Sequence, residues 1–97
     1  MATVIVSYPI HEGARFDAAY YTATHIPLAE KAWGPLGLIG AEVLFPAGPQ
    51  PWAATVLLRF ADQAAIDAAL ASPEAPAVMA DIANFTDIVP VLYRAAD

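Results

Sequence analysis

The sequence predicts a single α+β domain, and three observations carry the prediction. Four short runs rich in β-branched and aromatic residues are interleaved with two Ala-rich stretches; the order is strand, helix, strand, strand, helix, strand; and proline or glycine falls at nearly every join. At 97 residues one core is expected, so 1–97 is read as one domain.

The first strand is 3–8 (TVIVSY), which stops at Pro9, and the following Ile-His-Glu-Gly is a loop. Asp17 reads as a helix N-cap, because Phe16 before it and Tyr21 four positions after it have the spacing of a hydrophobic staple. That helix runs to about Trp33. Pro27 lies inside it, lacks an N–H, and crowds the carbonyl of Ala23, so a kink or restart near His25 follows. Gly34, Pro35 and Gly37 end the helix, 38–45 (LIGAEVLF) is the second strand with Gly40 marking a bulge, and 47–51 (AGPQP) is a loop. The third strand, 53–60 (AATVLLRF), pairs with the second as an antiparallel hairpin. Asp62 caps a second helix over 64–71, which Ser72-Pro73-Glu74 restarts with Ser72 as cap and Pro73 in the first turn. The last strand is 86–94 (TDIVPVLYR), where Pro90 demands an edge position or a bulge.

This order is the ferredoxin-like βαββαβ pattern, a four-stranded antiparallel sheet with both helices on one face. The other face carries either Val56, Leu58 and Phe60 or Thr55, Leu57 and Arg59 on the third strand. Either set is too apolar to face water, so a second copy of the chain is expected to cover it as a homodimer.

Composition removes several classes of function. The net charge of −6, with four scattered basic residues, argues against nucleic acid. The absence of cysteine excludes disulfides, thiol nucleophiles and Cys-ligated zinc. No stretch approaches the ~20 apolar residues of a membrane span and no leader pattern opens the chain, so a cytoplasmic protein without membrane contact is expected. There is no Walker loop, G-x-G-x-x-G or G-x-S-x-G. His11, His25, Glu12 and Asp17 offer no tight ligand spacing, so no metal is expected.

The segment Phe16-Asp17-Ala18-Ala19-Tyr20-Tyr21-Thr22-Ala23-Thr24-His25-Ile26-Pro27-Leu28-Ala29 resembles the EthD family signature: an aromatic-Asp pair opening a helix, a Tyr-Tyr pair, then His-x-Pro-Leu. The resemblance implies a dimeric α+β barrel with a pocket in each subunit between the sheet and its helices. Barrels of this kind include cofactor-free monooxygenases, haem-degrading enzymes, isomerases and cyclases, so the fold alone selects no reaction.

His25 is the first candidate catalytic residue, since helical spacing sets it on an apolar stripe with Ala18, Tyr21, Leu28, Ala29 and Ala32. There it is a general acid or base, with the Tyr21 phenol four residues away donating a hydrogen bond or orienting the ring. Otherwise it is structural, bonded to a carbonyl freed by Pro27. Tyr20 and Tyr21 diverge by about 100 degrees on a helix, so one belongs to the core and the other to a rim. Tyr20, Trp33 and Arg59 are the candidate substrate contacts; Arg59 either binds an anion or pairs with Glu42 on the neighbouring strand.

The leading expectation is a small homodimer binding an apolar metabolite, aromatic or cyclic, without a cofactor, with His25 acid/base chemistry of oxygenase, isomerase or cyclase type. The alternatives are a non-catalytic accessory protein of a degradation or biosynthesis operon, and haem binding through His25.

Overall fold

The computed structural model describes residues 1–97. The chain begins with β1 (Ala2–Pro9) and reaches the first helical unit through a loop ending at Asp17. That unit has three parts: α1 (Ala18–Tyr20), a π-helical turn (Tyr21–His25) and α2 (Ile26–Trp33). A 3₁₀ turn (Gly34–Leu36) leads to β2 (Leu38–Leu44), then β3 (Trp52–Phe60), α3 (Gln63–Leu70), α4 (Ala75–Asp81), a second 3₁₀ turn (Ile82–Asn84) and β4 (Val91–Ala95). The sheet order is β2-β3-β1-β4 with every pairing antiparallel, the arrangement expected of a ferredoxin-like split βαβ.

Alternation along the central strands sets the two faces. Ala2, Val4, Val6 and Tyr8 of β1 lie opposite Phe60, Leu58, Val56 and Ala54 of β3 in register, and all eight are buried beneath the helices. The opposite face therefore carries the second of the two expected sets, Thr55, Leu57 and Arg59, together with Ile5 and the exposed Leu44, Val91 and Tyr93.

Local chemistry explains the boundaries. Asp17 caps α1 by accepting from the Tyr20 N–H at 3.0 Å, and Phe16 packs on Tyr21 with ring centroids 5.2 Å apart, completing the staple. Asp62 caps α3 through the Ala65 N–H at 2.8 Å. Gly40 falls at a register shift between β2 and β3, the expected bulge. Gly37 joins the helical unit to β2 at φ +117°, where a Cβ would stand 2.6 Å from that of Ala65, so only glycine fits.

Two boundaries differ from the sequence reading. Ser72 does not cap the next helix; its hydroxyl turns back to the Ala69 carbonyl at 2.7 Å, and α4 starts at Ala75 with Pro76 in its first turn. A hydroxyl spent on the preceding helix end cannot serve the next one. The last strand starts at Val91, not at residue 86, because Pro90 has no N–H to give the ladder; Thr86 makes only an isolated bridge to Phe16. β4 pairs with β1 alone and is an edge strand, as Pro90 requires. No helix is long and apolar enough to cross a membrane.

Candidate active site

The kink foreseen at Pro27 takes the form of a π-turn. The Ile26 N–H bonds to the Tyr21 carbonyl, an i→i+5 link that inserts one residue into the turn ahead of the proline. This widening sets Tyr21 and His25 almost face to face, with centroids 5.6 Å apart and planes 18° from parallel. It also shifts the buried stripe to Tyr21, His25, Ile26, Ala29 and Trp33, and leaves Ala18, expected on that stripe, exposed.

The His25 imidazole is 6% exposed and packs against Phe85 at 4.6 Å. Its Nδ1 bonds to Asp81 Oδ2 at 2.9 Å, not to a carbonyl freed by Pro27. Asp81 ends α4, and its other oxygen accepts from the Tyr20 hydroxyl at 2.7 Å and the Asn84 amide at 2.9 Å. Burial pushes the Asp81 carboxyl up, but hydrogen bonds from Tyr20, Asn84 and His25 outweigh that and hold it below the usual carboxylate range. An ionised carboxylate only accepts, so Nδ1 carries a proton and Nε2 is the ring nitrogen left to face the cavity. Nε2 has no hydrogen-bond partner in the protein.

His25 forms part of the wall of an apolar cavity of about 50 Å³ between the inner sheet face and α2, α3 and α4. Tyr8, Tyr21, Trp33, Val56, Leu58 and Phe60 share this lining, and Leu70, Met79 and Leu92, each about half exposed, form its mouth beside β4. As it stands the cavity is smaller than the ~150 Å³ void that accepts benzene, so a ring enters only if these mouth side chains swing aside. The Tyr21 hydroxyl and the Trp33 indole N–H are fully buried and without a hydrogen-bond partner. Burial pushes the Tyr8 phenol up to about 12, and burial with Tyr8 alongside raises Tyr21 further. The two phenols are close enough to perturb each other yet do not meet hydrogen-bonding geometry, and the geometry is what leaves Tyr21 unsatisfied.

The structure thus brings His25, Tyr21 and Trp33 to one cavity. Tyr20 lies behind it, its hydroxyl holding Asp81. Arg59 is not brought there: it sits on the other sheet face and pairs with Glu42 at 2.9 Å. Sequence reasoning missed Asp81 and Asn84, which are 56 and 59 residues beyond His25 and share no local motif with it. Their only sequence signal was position, an acid and an amide at the end of a helix that the topology lays beside the first.

The EthD domain model matches residues 14–88, and an EthD-like protein from Ralstonia eutropha JMP134 is 32% identical, its structure superposing with a TM-score of 0.86 over 97% of this chain and 88% of that one. The chain belongs to the EthD family. An ethyl tert-butyl ether degradation (EthD) family protein from Bacillus halodurans C-125 is 22% identical, with a TM-score of 0.77 over 100% of this chain and 98% of that one. SnoaB, a cofactor-independent oxygenase from Streptomyces nogalater, shares the fold at 13% identity and a TM-score of 0.68, over 99% of this chain and 93% of that one. No curated protein matches in sequence.

Haem does not fit this EthD domain as it is built. His25 is wedged between Tyr21 and Phe85, and a cavity of about 50 Å³ has no room for a macrocycle over Nε2. No group of three His, Cys, Asp or Glu side chains converges anywhere in the fold; His11 lies 3.6 Å from Asp87 at the surface.

Proposed function

We propose that this EthD-family chain acts as a homodimer that binds a small apolar metabolite, aromatic or cyclic, in the cavity and moves a proton on it through His25. The observation that carries the reading is the His25–Asp81 pair at the wall of an apolar cavity, with Nε2 free. Asp81 fixes the tautomer and would steady the imidazolium formed when Nε2 takes a proton from carbon or oxygen. Tyr21 supplies a neutral donor for the charge that develops on a neighbouring oxygen, since its raised pKa keeps it protonated. Trp33 is a substrate contact, and Tyr20 acts at one remove by positioning Asp81. The binding role does not extend to Arg59.

Proton abstraction of this kind opens oxygenase, isomerase and cyclase chemistry alike. The likeness to a cofactor-independent oxygenase keeps the first of these in view. The homodimer is supported by the exposed apolar residues of the outer sheet face and by a structural neighbour from Bacteroides fragilis described as a dimeric protein of ferredoxin-like fold, 13% identical with a TM-score of 0.61.

The test is to identify by mass spectrometry the small molecule that co-purifies with the protein, then to assay its turnover. His25→Ala should abolish turnover while sedimentation still shows the dimer. Turnover that survives the substitution sinks the catalytic reading, and reproducible capture of a partner protein with no ligand in the cavity favours an accessory role.

A further inference from the structure

The cavity beside His25 adjoins a wider groove on the surface. Met79, Ile82, Pro90 and Leu92 line both, so the two spaces meet along these four side chains. The groove has a volume of about 530 Å³, against about 50 Å³ for the cavity.

The sequence explains why this edge of the sheet is open. Pro90 has no N–H to give the ladder, so β4 begins only at Val91. Leu92 lies opposite Val6 and therefore faces the same side of the sheet, yet Val6 is 8% exposed beneath the helices and Leu92 is 45% exposed beyond them. Val89, 81% exposed, extends the same apolar surface along the groove.

The charges of the groove narrow what can lie in it. Its one charged group is Asp87, and no Lys or Arg lines either space. The Arg15 backbone N–H, donating at 2.8 Å, holds the Asp87 carboxyl below the usual carboxylate range, so the group is negative at neutral pH. The size of the cavity adds the other constraint. At a third of the ~150 Å³ void that accepts benzene, it holds only the end of a metabolite, and the remainder must leave through the mouth.

Accepting the cavity as the place where His25 meets its ligand, we infer that this ligand has a narrow, oxygen-bearing end in the cavity and a larger, uncharged apolar body in the groove between α4 and residues 86–92. The narrow end is what reacts, and the body supplies affinity. Ala80 and Val89 line the groove but not the cavity, so they touch the body alone. An anionic group on the body would meet Asp87 with no cation to offset it.

A ¹H–¹³C NMR titration of the His25 imidazole with three probes tests this at the site itself. The probes are 2-butanone, 2-decanone and 9-oxodecanoate, in which a carboxylate replaces the far methyl of 2-decanone. A methylene is worth about fourfold in affinity when fully buried and about twofold when covered on one side. Over six added methylenes, 2-decanone is expected to bind more tightly than 2-butanone by about tenfold or more, and 9-oxodecanoate to lose most of that gain. Val89→Asp and Ala80→Glu, both at exposed positions and each verified as folded by thermal melting, should cut the ratio of 2-decanone to 2-butanone affinity to about threefold or less. A ratio near one, or a ratio that neither variant lowers, overturns the groove assignment and leaves the cavity as the binding site. Binding of 9-oxodecanoate as tight as that of 2-decanone overturns the uncharged body. A His25 ring that responds to none of the probes overturns both this inference and the cavity reading beneath it.

Discussion

Replacing Tyr21 with Phe should make the protein more stable, an unusual sign for a change at a fully buried position. The ring would stay: its packing on Phe16 at 5.2 Å, Tyr8 at 5.6 Å and Phe85 at 5.0 Å needs no hydroxyl. What leaves is an oxygen with no partner, whose desolvation costs about 1–3 kcal/mol. Against this stands the small void left by one atom, worth a few tenths of that. The net expectation is a gain of about 1 kcal/mol, read by urea unfolding at fixed protein concentration as a shift in midpoint without a change in slope, or as a rise in Tm of about 4–8 °C. The neighbouring Tyr20→Phe should move the other way, since its hydroxyl donates to Asp81 at 2.7 Å. Loss of about 1 kcal/mol or more in Tyr21→Phe would refute the reasoning, because it would mean that the hydroxyl has a partner in solution.

Further outcomes follow from the same structure. Asp81 has a lowered pKa, so the stability it contributes is full above the ordinary carboxylate range and is lost as pH falls through its folded-state value; Asp81→Asn should flatten that part of a urea-unfolding series between pH 2 and 6. Tyr8 is raised to about 12, so its contribution is intact below about pH 10 and disappears as pH climbs toward 12, costing up to about 3 kcal/mol; alkaline unfolding followed by circular dichroism should be shallower in Tyr8→Phe. Gly37→Ala meets both a left-handed φ and the Ala65 methyl at 2.6 Å, and should cost about 2 kcal/mol or more in the same urea assay. Leu57→Glu on the outer sheet face should yield monomers by sedimentation velocity if that face is the dimer contact.

Much of the fold was legible because its signals are local. Asp17 and Asp62 announce their helices through side chains bonded three residues on, Gly40 marks a bulge, and Pro90 marks an edge because it has no N–H to give the ladder. The cap at Ser72 misled because a hydroxyl serves whichever helix end it reaches, and proximity to Ala69 decided that. Pro27 foretold a disturbance near His25, but not that it would be a π-turn laying His25 on Tyr21. Only half of the site could be read. Helical periodicity places His25 and Tyr21 together, while Trp33, foreseen only as a helix-end candidate, joins them because the π-turn shifts the buried stripe. Asp81 reaches His25 through the packing of the second crossover against the first, a long-range contact no local pattern encodes, and Asn84 supports Asp81 from the turn that follows α4.

The central claim is that His25 faces a ligand, and the chain's two histidines make it directly measurable. In a ¹H–¹³C NMR titration of the imidazole rings with the co-purifying small molecule, or with 2-decanone, the buried His25 resonances should shift in a saturable way. Those of the surface His11 should stay fixed. Movement of neither ring, or equal movement of both, would contradict the account.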